Sequence, residues 1–214
     1  MTQMVRVHNF VVSSDGYAAG EGQSLEQPFG HANPLEMGAW AFAAASWPGR
    51  TDGAGTRGLE DYLVRDFHRN VGAEIMGRNK FGPQRGPWTD HDWQGWWGDE
   101  PPFHTPVFVM THHERPSFSL SDTTFHFVSG TPEQVLERAL EAADGKDVRL
   151  GGGSDTVRQF LDTGLVDTLH AAVAPLELGG GSRLWTSPDE LDDRYEHDVV
   201  PRPDGVAHHL FWRR

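Results

Sequence analysis

Apolar positions in this chain alternate between short β-branched runs and stretches with a 3.6-residue period. Residues 5–13 (VRVHNFVVS) predict a first strand, and Ser14-Asp15-Gly16-Tyr17 supplies turn chemistry after it. Residues 20–33 are Gly-rich and polar, which predicts a loop. Residues 34–47 predict a helix with Leu35, Ala39, Phe42 and Ala43 on one face. A glycine-rich loop over 47–58 leads into 59–70 (LEDYLVRDFHRN). That segment predicts an amphipathic helix with Leu59, Tyr62, Leu63, Asp66, Phe67 and Asn70 along one side.

Strands are predicted next at 73–76 (AEIM), 106–111 (PVFVMT) and 124–129 (TFHFVS), with a long Gly, Pro and Trp segment over 81–103. Residues 131–143 predict a helix, with Thr131 as N-cap, Pro132 in its first position and Gln134 completing a capping box. A strand at 147–150 (DVRL) runs into three glycines. A helix at 154–163 follows, with Gly164 at its C-terminal stop. Residues 166–175 predict another strand, and 199–213 two short strands around Pro203-Asp204-Gly205. The alternation predicts one α/β domain over 1–214, built on a mainly parallel sheet with a C-terminal antiparallel hairpin.

Composition narrows the chemistry. The 214 residues are 37% hydrophobic and 23% charged, as in a globular domain. A formal charge of −13 argues against a nucleic-acid surface, which needs clustered Lys and Arg. With no cysteine, disulfides, thiolate–zinc sites and a cysteine nucleophile are excluded. No apolar run reaches membrane-spanning length and no leader pattern opens the chain, so the expectation is a cytoplasmic protein with no membrane partner. No metal is expected, because Asp90-His91-Asp92 and His112-His113 lack ligand spacing.

Three strand ends carry the candidate chemistry. In Leu150-Gly151-Gly152-Gly153-Ser154-Asp155-Thr156 a strand stops, glycines follow and a helix begins. Glycines let a ligand reach the backbone, and a helix N-terminus offers free N–H groups to phosphate. The alternative is a tight turn without a ligand. Gly77-Arg78-Asn79 ends a second strand, where Arg can grip phosphate through paired hydrogen bonds or sit in a surface ion pair. Thr111-His112 ends a third. A GxGxxG match at 53–58 follows no strand and is read as a loop. Together the three ends point to a dinucleotide laid across the carboxyl edge of a sheet.

The order of these pieces resembles a known family. Ser13-Ser14-Asp15-Gly16, Met76-Gly77-Arg78, Val109-Met110-Thr111 and Gly151-Gly152-Gly153 with its helix match the dihydrofolate reductase-like superfamily. So do Leu165-Val166-Asp167 and residues 175–185 (PLELGGGSRLW). The resemblance is closest to the C-terminal reductase domain of bacterial riboflavin-biosynthesis deaminase/reductases. It implies a three-layer fold with helices on both faces, NADPH as hydride donor, a planar N-heterocyclic substrate (pterin, flavin or aminopyrimidine) and a homodimer. It places Gly77, Arg78 and Asn79 toward the adenosine phosphate, Thr111 and His112 at the adenine, the segment from Leu150 to Thr156 at the pyrophosphate, and Val11 and Ala18 near the nicotinamide.

On the substrate side the pattern departs. The family's carboxylate on the helix before Met-Gly-Arg points to Asp61, with Asp66 as an alternative. An acidic first helical turn is also an ordinary dipole partner. Residues 20–58 are an insertion relative to the family. Trp88, Trp93, Trp96 and Trp97 either wall a planar ligand or pack a loop or dimer contact. A non-catalytic NADPH- or flavin-binding module is the alternative to a reductase.

Overall fold

The computed structural model describes residues 3–48 and 50–214. Its strands are β1 (Val5–Ser13), β2 (Tyr17–Ala19), β3 (Val71–Gly77), β4 (Pro106–Met110), β5 (Phe118–Leu120), β6 (Thr123–Val128), β7 (Asp147–Leu150), β8 (Thr168–Ala174), β9 (Ser182–Arg183), β10 (Tyr195–Pro201) and β11 (Ala207–Arg213). Its helices are α1 (Pro34–Met37), α2 (Ala39–Phe42), α3 (Leu59–Asp66), α4 (Arg78–Phe81), α5 (Pro132–Ala142) and α6 (Ser154–Asp162). Nine strands form one sheet in the order β10-β11-β8-β1-β7-β3-β4-β6-β5. From β8 through β6 every neighbouring pair is parallel. The edges are antiparallel: β11 and β10 on one side, β5 on the other.

Strand alternation sorts the side chains onto two different faces. Val5, Val7, Ala73, Ile75, Val148, Leu150, Leu169 and Ala171 form one face and pack against Val135, Leu136 and Ala139 of α5 and Val157, Phe160 and Leu161 of α6. Val64 of α3 belongs to the opposite face, with Trp40, Ala41 and Ala172. Helices therefore cover both faces, as the three-layer expectation requires. Further along that second face, Met76, Val107, Val109, Phe125 and Phe127 pack with Phe81, Trp88 and Phe103. In β1 the register against β8 shifts between Val7 and Phe10, so Val5 and Val7 before the bulge and Phe10 and Val12 after it all reach the α5–α6 core.

Several predicted elements change in detail. The 34–47 helix is two short helices, because the chain turns at Gly38, whose Cβ would crowd Phe42 and the Pro34 carbonyl. Its buried residues are Met37, Trp40 and Ala41, while Leu35 is exposed. The predicted face of α3 is also wrong. Glu60, Asp61 and Val64 are buried and Tyr62 is exposed, because the buried charges find partners in loops packed against the helix, Arg202 for Glu60 and the Ser46 N–H for Asp61. It ends at Asp66 rather than 70. The Thr131 capping box forms, and Gly164 adopts φ +70° just past the end of α6. Strand β10 begins four residues before the predicted 199, and β2, β5, β9 and α4 are elements too short to give a periodic signal.

Candidate active site

The turn after β7 is fastened to the end of β3. Gly151 N–H donates to the Ile75 carbonyl at 2.8 Å, and Gly77 N–H donates to the Gly152 carbonyl at 2.7 Å. Gly152 has φ +113°, a region that side chains other than glycine's rarely enter. Gly77 lies against α6, and a Cβ there would collide with the Thr156 hydroxyl. Gly153 is different: a Cβ on it would meet nothing within 4 Å, so its backbone is bare toward the cleft. It stands at the N-cap of α6 without a side-chain cap, and the buried Ser154 Oγ has no partner. Uncapped N–H groups, a bare backbone and an unsatisfied hydroxyl fit an anion such as a pyrophosphate.

Arg78 opens α4 directly after β3. Its guanidinium lies 3.8 Å from the centroid of the Trp88 ring and donates to the Gly86 carbonyl at 2.5 Å. Its Nε and Nη2 are buried without a partner, so donors remain for an anion. Thr111 Oγ1, 3.5 Å from Arg78 Nη1, closes a turn by accepting from His113 N–H at 3.1 Å. Asn79 accepts a hydrogen bond from Arg85.

These groups border one cleft of about 1200 Å³ at the carboxyl ends of the parallel strands. Val11, Ala18, Gly77, Arg78, Asn79, Thr111, His112, Gly151, Gly152, Gly153, Ser154, Asp155 and Thr156 all line it. Leu150 does not; at 1% exposure it belongs to the α5–α6 core, since a strand's last inward side chain packs rather than contacts a ligand. The volume exceeds the roughly 300–1,000 Å³ of ordinary small-ligand pockets, which leaves room beside a dinucleotide for a second ligand. That second end is walled by Met37, Trp40, Phe42 and Trp47 from the 20–58 segment, by Val64, Phe67 and His68 from the α3 region, and by Trp96 and Trp97. The tryptophan loop thus divides. Trp96 and Trp97 face the cleft, while Trp88 is a core residue and Trp93 is tied by its ring N–H to the Phe81 carbonyl at 3.1 Å.

Neither predicted carboxylate borders the cleft. Asp61 accepts the Ser46 N–H at 2.7 Å and pairs with Arg65 at 3.4 Å. Hydrogen bonding to Ser46, opposed by burial and assisted by Arg65 and Arg57, holds its carboxyl below the ordinary value. Asp66 pairs with Arg6 at 2.7 Å, and Arg6 also reaches Asp147 at 3.2 Å. Both aspartates secure α3 and the segment before it.

Beneath the cleft instead lies a buried charge network that pattern reading missed, and it reaches the cleft at Lys80. Glu74 on β3 and Arg149 on β7 are register neighbours, both essentially unexposed, and form an ion pair. Lys80 lines the cleft and donates to Glu74 Oε1 at 3.1 Å and to the Gly151 carbonyl at 2.7 Å. Burial alone would raise the Glu74 carboxyl, but Arg149 and Lys80 outweigh it and hold it low. Nearby, burial together with Arg6 brings the His8 imidazole down to about 4, and burial together with Arg149 does the same to His68. The signal was present: AEIM carries one charge and DVRL two on otherwise apolar strands, and Glu74 and Arg149 fall opposite each other in the paired register.

A mostly parallel sheet of this order, with helices on both faces and a cleft across its carboxyl edge, is a three-layer α/β fold. Within it, the chain belongs to the RibD C-terminal domain family, whose model matches residues 6–196, and it is an oxidoreductase of that family. Among solved structures, a putative riboflavin biosynthesis protein from Shewanella sp. PV-4 matches all of this chain and 99% of its own, at 21% identity and TM-score 0.55. A pyrimidine reductase-like protein from Corynebacterium diphtheriae matches all of this chain and 92% of its own, at 15% identity and TM-score 0.54. A diaminohydroxyphosphoribosylaminopyrimidine deaminase/5-amino-6-(5-phosphoribosylamino)uracil reductase from Thermotoga maritima matches all of this chain and 57% of its own, at 13% identity and TM-score 0.55. At these identities the likeness concerns the fold. No curated protein matches the chain significantly.

Proposed function

We propose that this protein is an NADPH-dependent reductase that delivers hydride to a planar N-heterocycle of the pterin, flavin or aminopyrimidine kind. The observation that carries the reading is the bare, uncapped turn at Gly151-Gly152-Gly153, facing a cleft too large for one small ligand. Bound NADPH would supply the hydride; the protein's part is binding, orientation and exclusion of water. The α6 N-terminus and Ser154 would hold the pyrophosphate. The free Nε and Nη2 of Arg78 would take the 2′-phosphate, which favours NADPH over NADH. Val11 and Ala18 would border the nicotinamide. The aromatic walls Trp40, Phe67, Trp96 and Trp97 suit a flat acceptor and keep water from the reacting face. Thermal-shift titration tests the cofactor half: stabilisation by NADPH well above that by NADH supports it, and no stabilisation by either refutes it. Oxidation of NADPH on addition of a pterin, flavin or aminopyrimidine tests the acceptor half.

A further inference from the structure

Lys80 is out of keeping with its place. It sits one turn into α4, yet its ammonium turns back onto the sheet, between the Gly151 carbonyl at 2.7 Å and Glu74 Oε1 at 3.1 Å. Those two bonds leave a third N–H with no protein acceptor among the described residues. Glu74 is already engaged by Arg149, which is fixed by the Phe67 carbonyl at 3.1 Å and lies 3.9 Å from the centroid of the Phe67 ring. Two cations thus share one buried carboxylate, and the cluster holds one positive charge in excess.

The charges beyond it run the other way. Arg6, the register neighbour of Arg149 on β1, is shared by Asp66 and Asp147. The row of buried charges is therefore polarised, with its acidic end under α3 and its positive end, Lys80, in the cleft. An uncompensated cation in a desolvated place is costly unless an anion joins it. Burial already disfavours the charged ammonium here, against the pull of Glu74. The anion is not accounted for by the cofactor reading, because the α6 N-terminus and Arg78 already provide for its phosphates. The aromatic groups Phe67, Trp96 and Trp97 line the same cleft as Lys80, and its Nζ lies 5.8 Å from the Phe103 centroid.

We propose that Lys80 anchors an acidic oxygen on the ring edge of the hydride acceptor, so that the acceptor is a planar heterocyclic acid rather than a neutral heterocycle. The inference rests on the reductase reading above and names the acceptor class within it. In the ternary complex the Lys80 ammonium donates to a carboxylate or enolate oxygen of the acceptor, whose ring lies among the aromatic walls.

Calorimetric titration of the NADP⁺-saturated protein with two matched pairs tests this: orotate against uracil, and pterin-6-carboxylate against pterin. The acid of each pair is expected to bind about tenfold or more tighter than its neutral partner, with Lys80→Met reducing the ratio to about threefold or less and Lys80→Arg preserving it. In both variants NADP⁺ affinity stays within about threefold of wild type. Equal binding of acid and neutral partner, or no binding of either acid, overturns the proposal. So does a Lys80→Met protein that loses NADP⁺ instead, since the lysine then serves the cofactor. The acid-to-neutral ratio in wild type needs no variant to fold. If NADP⁺ does not bind wild type, the cofactor reading fails by itself, and the same pairs titrated on the ligand-free protein still decide the role of Lys80.

Discussion

Three consecutive glycines serve different ends here. Gly152 is held at φ +113°, so its backbone demands glycine. Gly153 has φ −64°, open to any residue, and a Cβ there would touch nothing. Its lack of a side chain is needed only by what approaches it. Gly153→Asp is therefore expected to fold and melt near wild type, yet to lose about 100-fold or more in NADPH affinity, because a carboxylate would occupy the pyrophosphate position. Calorimetry beside a thermal melt reads both; retained affinity would remove the phosphate from this turn. Arg78 offers a second test. Its free donors are assigned to the 2′-phosphate, so Arg78→Ala should lower NADPH affinity by about tenfold or more and leave NADH nearly unchanged. Equal losses for both cofactors would place Arg78 elsewhere on the dinucleotide.

Helix α3 and strand β3 show why individual elements were harder to read than the chain as a whole. The apolar stripe Leu59, Tyr62, Leu63 and Phe67 looks like the buried face of α3, yet Glu60 and Asp61 are buried beside Val64 while Tyr62 stands out. A hydrophobic template assumes an apolar surface opposite. Here the opposing surface carries partners, such as Arg202 for Glu60 and the Ser46 N–H for Asp61. Sequence distance from Gly77 nominated Asp61 as a proton donor, but distance along the chain says nothing of which way a helix is turned. Asp61→Asn is accordingly expected to lower Tm while leaving kcat within about twofold; a kcat loss of about 100-fold or more would restore a catalytic role. On β3, Glu74→Leu would leave the buried Arg149 and the half-buried Lys80 at the cleft wall without a carboxylate. Breaking one side of such a network costs about 3–5 kcal/mol, and urea unfolding should show a loss of that order. A loss below about 1 kcal/mol would mean that the cluster is well hydrated.

At the scale of the whole molecule, the alternation of strands and helices made the α/β class legible, and the glycine turn with its two companion strand ends made the cleft edge legible. The remainder depended on contacts between distant segments. The polar inner face of the sheet, where Arg6 and His8 on β1 meet Glu74 on β3, Arg149 on β7 and His170 on β8, is a property of register and not of any one segment. Histidines packed on both faces of the sheet give the molecule a pH dependence. Burial brings His8 and His209 down to about 4 and pushes His170 well below its ordinary value, so the fold favours their neutral forms. The unfolded chain binds protons at these groups near pH 6.5, whereas the folded chain binds them at His8 and His209 only near 4 and at His170 only well below the ordinary value. Between those values the unfolded state holds more protons, and stability falls as pH falls. General charge repulsion argues the opposite way, because a chain with a pI of about 5.2 loses net charge over the upper part of that window. The histidines should prevail, since each shift is local and large whereas surface repulsion is screened by salt. Unfolding free energy in 0.15 M salt should therefore decline steadily from pH 7 to pH 4.5. In His8→Gln, where an amide can still accept from Arg6, the decline should be shallower by up to about one proton in the linkage slope. A stability maximum near pH 5 in wild type, or an unchanged slope in the variant, would show that the buried imidazoles do not control the acid side of the fold.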